Sequence, residues 1–336
     1  MSGWDKIIGH DWAVNLLRSS IENDRIGHAN LITGPAHIGK NTLAVTYVQA
    51  INCLSGIQNE RPCGRCRACK LIEINRYPDV IALDPTVSRW GKKSIGIDRI
   101  RELQRFLNLT TTEARYKVAV INEFDSTSIG AANAFLKTLE EPPSRVVLVL
   151  TALNADILLP TIPSRCWVVN LRPLTRNMIA EALVERYDVP KMEADTLARI
   201  ADGRIGWAIS AQSDPSILQT RLNQLNLLYD ILSTDRVGRF SLAHKLAKSP
   251  ESIPIMLLTW LSWWRDIVLI KNDIRAVDSM NNVDQLEQIE GFAHQWSPDQ
   301  AINGLSNTQE TLQFLDKNAN SRLAVENLLL TYPGLS

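Results

Sequence analysis

The stretch Gly34-Pro35-Ala36-His37-Ile38-Gly39-Lys40-Asn41-Thr42 limits what this chain can fold into more than any other. A loop of the form G-x-x-x-x-G-K-[ST] needs a strand before it and a helix after it. Its backbone N–H groups wrap phosphates at the helix N-terminus, its Lys reaches the outer phosphates, and its hydroxyl holds Mg²⁺. Both flanks are present: the apolar run at residues 29–32 predicts the strand, and residues 43–51 predict the helix. Gly34, Gly39 and Lys40 are in place as candidate phosphate ligands. Asn41 stands where the Mg²⁺-binding hydroxyl belongs, and Thr42 comes one residue late. His37 puts a side chain into a tight turn where glycine would allow positive φ. The pattern predicts an α/β core built on a parallel sheet, with a phosphate loop altered at its chemical positions. The competing reading is a chance match in a turn before a helix.

The 336 residues leave room for two or three domains of ~100–200 residues each. Lys plus Arg and Asp plus Glu both number 36, a formal net charge of +0, so no global field draws the chain to nucleic acid. Any DNA contact must be local or shared. With 45% hydrophobic residues, no run of ~20 apolar residues and no signal peptide, the expectation is a cytoplasmic protein without a membrane partner.

Four of the five cysteines crowd into one segment, Cys53-x9-Cys63-x2-Cys66-x2-Cys69. Four thiolates satisfy tetrahedral Zn²⁺, and the x2 spacings let backbone turns aim neighbouring sulfurs at one ion. We expect a structural zinc module in which Cys53 closes a helix and the other three cysteines sit in a loop; free or redox thiols are the alternative. Arg61, Arg65, Arg67 and Lys70 make the module basic, which a solvated loop explains as well as a DNA contact does. Cys166 has no neighbouring cysteine and reads as a small core residue.

Further along, residues 80–83 read as a strand and Ile97, Ile100, Leu103 and Leu107 as a helix, after a polar loop over residues 90–96. Residues 117–125 form a short apolar run ending in the acidic residues Glu123 and Asp125, as expected of a central parallel strand presenting carboxylates at its C-terminal end. In a P-loop NTPase the first acid after this strand holds Mg²⁺. Asn122 takes that place, and an uncharged amide is a poor ligand for a hard cation. Glu123 keeps the residue type of a water-activating base. From Leu174 onwards the pattern is helical. Trp260, Trp263 and Trp264 read as core or subunit interface rather than a base-stacking platform, because basic interleaving is missing apart from Arg265. Asn281 to Asp284 reads as a polar loop.

Ala131-Ala132-Asn133-Ala134-Phe135-Leu136-Lys137-Thr138-Leu139-Glu140-Glu141-Pro142-Pro143, followed by Thr161-Ile162-Pro163-Ser164-Arg165-Cys166, resembles signatures of the bacterial DNA polymerase III clamp-loader subunits of the AAA+ superfamily. The likeness extends to Ile7-Ile8-Gly9, His28-Ala29, residues 94–103 and Trp263-Trp264-Arg265-Asp266. It implies a zinc-bearing AAA+ P-loop core over residues 1–172 with the module at 53–69, a helical lid over 173–213, and an all-α collar for oligomerisation over 214–336. Gly206 falls where an ATPase of the family has the arginine that senses γ-phosphate. His37, Asn41, Asn122 and Gly206 therefore all depart in one direction. The resemblance is to the loader's partner subunit, which supplies an arginine but does not turn over ATP, rather than to its motor.

In that family the Arg of S-R-C reaches the ATP site of the adjacent subunit, so Arg165 is expected to act in trans; for a lone Arg the alternative is a surface ion pair. The implied partners are the ATPase (gamma/tau) and delta subunits, with the sliding clamp and primer–template DNA met through the assembly. Whether the altered loop still holds ATP or ADP stays open. Two rivals remain. Turnover by the isolated chain would mark a motor subunit, and salt-sensitive DNA binding without partners would mark a stand-alone zinc protein.

Overall fold

A computed structural model describes residues 3–87, 93–272, 274–316 and 319–334. The chain divides into two compact units, Met1–Met178 with Gly203–Gly206, and Ile179–Asp202 with Trp207–Ser336.

The first unit is built on strands β1 (Ala29–Thr33), β2 (Val80–Leu83), β5 (Lys117–Ile121), β6 (Val146–Ala152) and β7 (Trp167–Asn170). They form one five-stranded parallel sheet in the order β2-β5-β6-β1-β7. Continuous apolar runs form the central strands, since a parallel sheet is covered on both faces; every residue of β1, β5 and β6 is buried. Side chains alternate across the pleat. Ile32, Val118, Val120, Val147 and Val149 face α1 (Asp11–Glu22) and α2 (Lys40–Asn52), while Leu31, Ala119, Ile121, Leu148 and Leu150 face α4 (Ile97–Leu107) and α5 (Ile129–Glu140). The result is a three-layer α/β core. Because β1 lies inside the sheet, the loop that follows it opens at the carboxyl ends of the strands, where such sheets bind ligands.

β3 (Thr86–Val87) pairs antiparallel with β4 (Lys93–Ser94), which takes part of the polar loop expected over 90–96; residues 90–92 of that loop lie outside the described residues. α3 (Arg67–Glu73) corrects one expectation: Cys66 is its N-cap and Cys69 lies on it, so only Cys63 sits in a loop. Seven residues are too few to show helical periodicity in sequence.

The helices from α6 (Arg176–Tyr187), α7 (Lys191–Ala201) and α8 (Ile205–Ser213) onwards run through α9 (Pro215–Ser233), α10 (Arg236–Leu246), α11 (Ile253–Asn272), α12 (Leu286–Gln295), α13 (Pro298–Asp316) and α14 (Ser321–Thr331). α11 sits at the centre of the second unit's core. Trp260, Trp263 and Trp264 are fully buried and pack with Phe292, Trp296 and Tyr332. Gly304 lies so close that a Cβ there would stand 2.7 Å from the Trp264 ring. This helix is long and apolar enough by composition to cross a membrane, which the sequence was not expected to contain; it carries Arg265 and Asp266 mid-length, and its buried face is core.

The polar loop expected at Asn281–Asp284 holds a hub in which Asn281 and Asn282 are buried and Asp284 stays exposed. Asp266 accepts hydrogen bonds from the Asn281 and Asn282 N–H groups and from Asn282 Nδ2, while Arg221 donates to Asn282 and Asp284. A carboxylate with this many donors can be buried at little cost.

Candidate functional site

The phosphate loop turns through left-handed backbone at Gly34 (φ 146°), His37 (φ 61°) and Gly39 (φ 104°). Gly34 is required: a Cβ there would stand 2.7 Å from the Leu171 carbonyl oxygen. His37 holds the same conformation without glycine's freedom, at a cost of roughly 1–2 kcal/mol. The loop's carbonyls are taken up by the chain itself. Lys40 Nζ donates to Gly34 O at 2.6 Å and Pro35 O at 2.8 Å, His10 Nε2 lies 3.1 Å from Ile38 O, and the Gly206 N–H donates to His37 O at 2.7 Å. A Cβ on Gly206 would lie 2.7 Å from that same oxygen, so glycine here lets backbone meet backbone.

Burial lowers the Lys40 pKa, opposed by the nearby Asp125 and Glu123 carboxylates. Burial also lowers that of His37, helped by the charges of Arg204 and Lys40. Asn41 and Thr42 are exposed in the first turn of α2. Asn122 donates from Nδ2 to Asp84 Oδ1 at 2.8 Å. Glu123 is exposed, in left-handed backbone (φ 47°), with its N–H on Thr151 Oγ1 and Lys93 at 3.8 Å. Asp125, an acid that the sequence places at the end of this strand without giving it a role, is the more enclosed acid near Lys40; burial raises its carboxyl pKa. Its Oδ1 and Asn122 Oδ1 are buried without partners. Oxygens remain, but amides occupy the places of the Mg²⁺ hydroxyl and first acid, so the residues do not fit a Mg²⁺–nucleotide.

Cys53, Cys63, Cys66 and Cys69 converge. Their four sulfurs lie within 4.8 Å of one another, close enough for one metal ion to touch all four. The N–H groups of Ser55 and Cys63 donate to Cys53 Sγ, that of Cys66 to Cys63 Sγ, and that of Cys69 to Cys66 Sγ, each at 3.4–3.5 Å. Such donors favour thiolates, whereas burial raises the Cys53 and Cys69 thiols. A bound cation resolves that conflict. Cys166 stands apart, partly buried, its thiol pushed up to about 12 by burial.

Arg165 ends a single turn of 3-10 helix, Pro163–Arg165. Its Nε and Nη2 reach Glu140 Oε1 at 2.9 and 2.6 Å. Its Nη1 donates to Thr161 O at 3.0 Å and Ser164 Oγ at 3.2 Å. His28 Nε2 lies 3.1 Å from Leu139 O, so the segment before β1 also holds the end of α5. Sequence reasoning named Arg165 but not Glu140, because the partners lie on different elements.

The sequence matches the family described as DNA polymerase III, delta subunit, over residues 9–175, and its C-terminal counterpart over residues 215–332. It is 28% identical over 323 residues to DNA polymerase III subunit delta′ of Bacillus subtilis, covering 94% of each chain. With subunit delta′ of Pseudomonas aeruginosa it shares 31% identity over 70% of each chain. DNA polymerase III subunit tau of Bacillus subtilis is 30% identical over 212 residues; that match spans 62% of this chain and only 36% of tau. An α/β core with an altered phosphate loop, and a match that continues through the helical unit, place it on the delta-prime side of this division: the chain belongs to the family of DNA polymerase III delta-prime subunits, clamp-loader proteins of the AAA+ superfamily.

Proposed function

We propose that the chain is a non-hydrolysing clamp-loader subunit that lends Arg165 to the ATP site of a neighbouring motor subunit. In this reading it works in the cytoplasm with the gamma/tau and delta subunits and assists ATP-dependent loading of the sliding clamp on primed DNA. The observation that carries it is the match along 94% of both chains to a delta-prime subunit. The phosphate loop, satisfied by its own chain, and the lack of a fit to Mg²⁺–nucleotide support it. The tau match favours a motor only in the part the two families share.

The domains are read as core (1–172), lid (173–213) and collar (214–336). The resident metal is read as Zn²⁺: a tetrahedron with Zn–S of about 2.3 Å has edges of about 3.8 Å, and Cys53 Sγ to Cys66 Sγ is 4.0 Å. Bound there, zinc joins the end of α2 to α3.

Arginine's planar, always-charged fork suits charge developing on a transferred phosphoryl group, and such fingers are worth ~10³–10⁵ in rate. In the reconstituted complex, Arg165→Ala and Arg165→Lys should both slow clamp- and DNA-stimulated ATP hydrolysis while a sizing profile shows assembly unchanged. Full ATPase activity and clamp loading by an intact Arg165→Ala complex would remove the role in trans.

A further inference from the structure

The Arg165 guanidinium is almost fully engaged inside its own chain. Of its five N–H groups, Nε–H and one on Nη2 go to Glu140 Oε1, and Nη1 serves Thr161 O and Ser164 Oγ. Neither edge of the fork is therefore open to take a phosphate through two parallel bonds. Yet the site is accessible: the side chains are 34% and 48% exposed, and an open groove of about 440 Å³ is lined by His28, Leu139, Glu140, Ser164 and Arg165.

Glu140 has no evident helical reason to be acidic. It is the last residue of α5, at the negative end of the helix dipole, where a carboxylate is unfavourable. What it gains there is Arg165.

We propose that Glu140 is a release latch, a positioning residue that parks Arg165 and yields it only to an anion of comparable pull. The rival anion is the terminal phosphate of ATP held by an adjacent subunit, so the inference rests on the reading of Arg165 as acting in trans. Carboxylate and phosphate compete for the same edge of one guanidinium. Parking keeps the arginine from other anions until a loaded neighbour docks, and the exchange opposes engagement by the strength of the parked pair.

Removing the carboxylate charge should therefore help the neighbour. In the reconstituted loader, Glu140→Gln should raise the ATPase kcat/KM by about two- to fivefold, the range of an exposed ion pair. The change should lie mainly in KM, and binding of a non-hydrolysable ATP analogue should tighten by a similar factor. The thermal midpoint of the chain should hold or rise, since a charge opposed to the dipole is removed. In an Arg165→Ala background, Glu140→Gln should change nothing. An unchanged or lower kcat/KM for Glu140→Gln, or an effect that persists without Arg165, overturns the latch. If Arg165→Ala alone leaves hydrolysis intact, the trans reading fails first. A defect in Arg165→Ala beside a loss in Glu140→Gln would instead make Glu140 a support for the finger and sink the latch alone.

Discussion

His37 and Gly206 meet through backbone, at a point where the sequence offered two unconnected oddities. Asn41 and Asn122 were legible because each occupies a fixed place in a local pattern. The pairing of His37 with Gly206 was not, because it depends on a turn and a helix start brought together by the fold. Gly206 is thus more than a missing arginine: its N–H bonds His37 O at 2.7 Å, and there is no room for a Cβ. Gly206→Ala should destabilise the chain by ~1–3 kcal/mol, as overpacking does, read as a lower thermal midpoint. Gly206→Arg should do the same without conferring ATP turnover, and Asn41→Thr with Asn122→Asp should strengthen Mg²⁺-dependent nucleotide binding more than either change alone. A Gly206→Arg chain with unchanged stability and tighter nucleotide binding would refute this account of the contact.

At the level of elements, strands and long helices were readable from periodicity, as α4 and the run into β5 attest, but short pieces fixed by side-chain chemistry were not. α3 is one. Its start is held by Cys66 Sγ accepting the Cys69 N–H, and its body by Gln49 Nε2 donating to Cys69 O and Glu73. About one zinc per chain is expected in protein prepared without chelator. Cys66→Ser should release it and expose the module to protease, while the sheet, with its own core on both faces, stays folded. Metal-free native protein would refute the zinc assignment. The loop before β5 is the other case: Asp79, fully buried, accepts the N–H groups of Thr112, Glu113 and Ala114 and lies 3.7 Å from Lys117 Nζ. Burial alone would raise its pKa; those donors and the ammonium outweigh it and hold the carboxyl below its ordinary value. Its contribution is therefore complete above the unfolded pKa of about 3.9 and lost as pH falls through the lower folded value. Asp79→Asn should cost ~3–5 kcal/mol at pH 7, because Lys117 is left buried without its counter-ion. That difference should shrink below about pH 4 in denaturant titrations; a penalty independent of pH would mean that Asp79 acts by shape rather than charge.

Across the whole molecule, charge decides between a part of an assembly and a protein that binds DNA alone. The net charge is +0, and three of the four basic residues of the cysteine module, the one local candidate seen in the sequence, make contacts within the chain while Arg65 and Arg67 stay mostly exposed. Arg67 pairs with Glu113, Arg65 lies 3.5 Å from Glu60, and Arg61 donates from Nε and Nη2 to Ser55 O. The tryptophans, read from the sequence as core or subunit interface rather than a stacking platform, are unavailable for stacking, since Trp260, Trp263 and Trp264 have no exposed surface. A chain that displaces counterions from several phosphates loses affinity steeply with salt, with a log–log slope near −0.9 per phosphate on duplex. The isolated chain should therefore bind primer–template DNA weakly, with a slope that amounts to one or two phosphates between about 50 and 200 mM salt. Replacing Arg65 and Lys70 together with Ala should leave that binding nearly unchanged, measured by fluorescence anisotropy. Tight binding with a steep slope, abolished by that double replacement, would favour the stand-alone DNA-binding reading and make the module a contact surface in its own right.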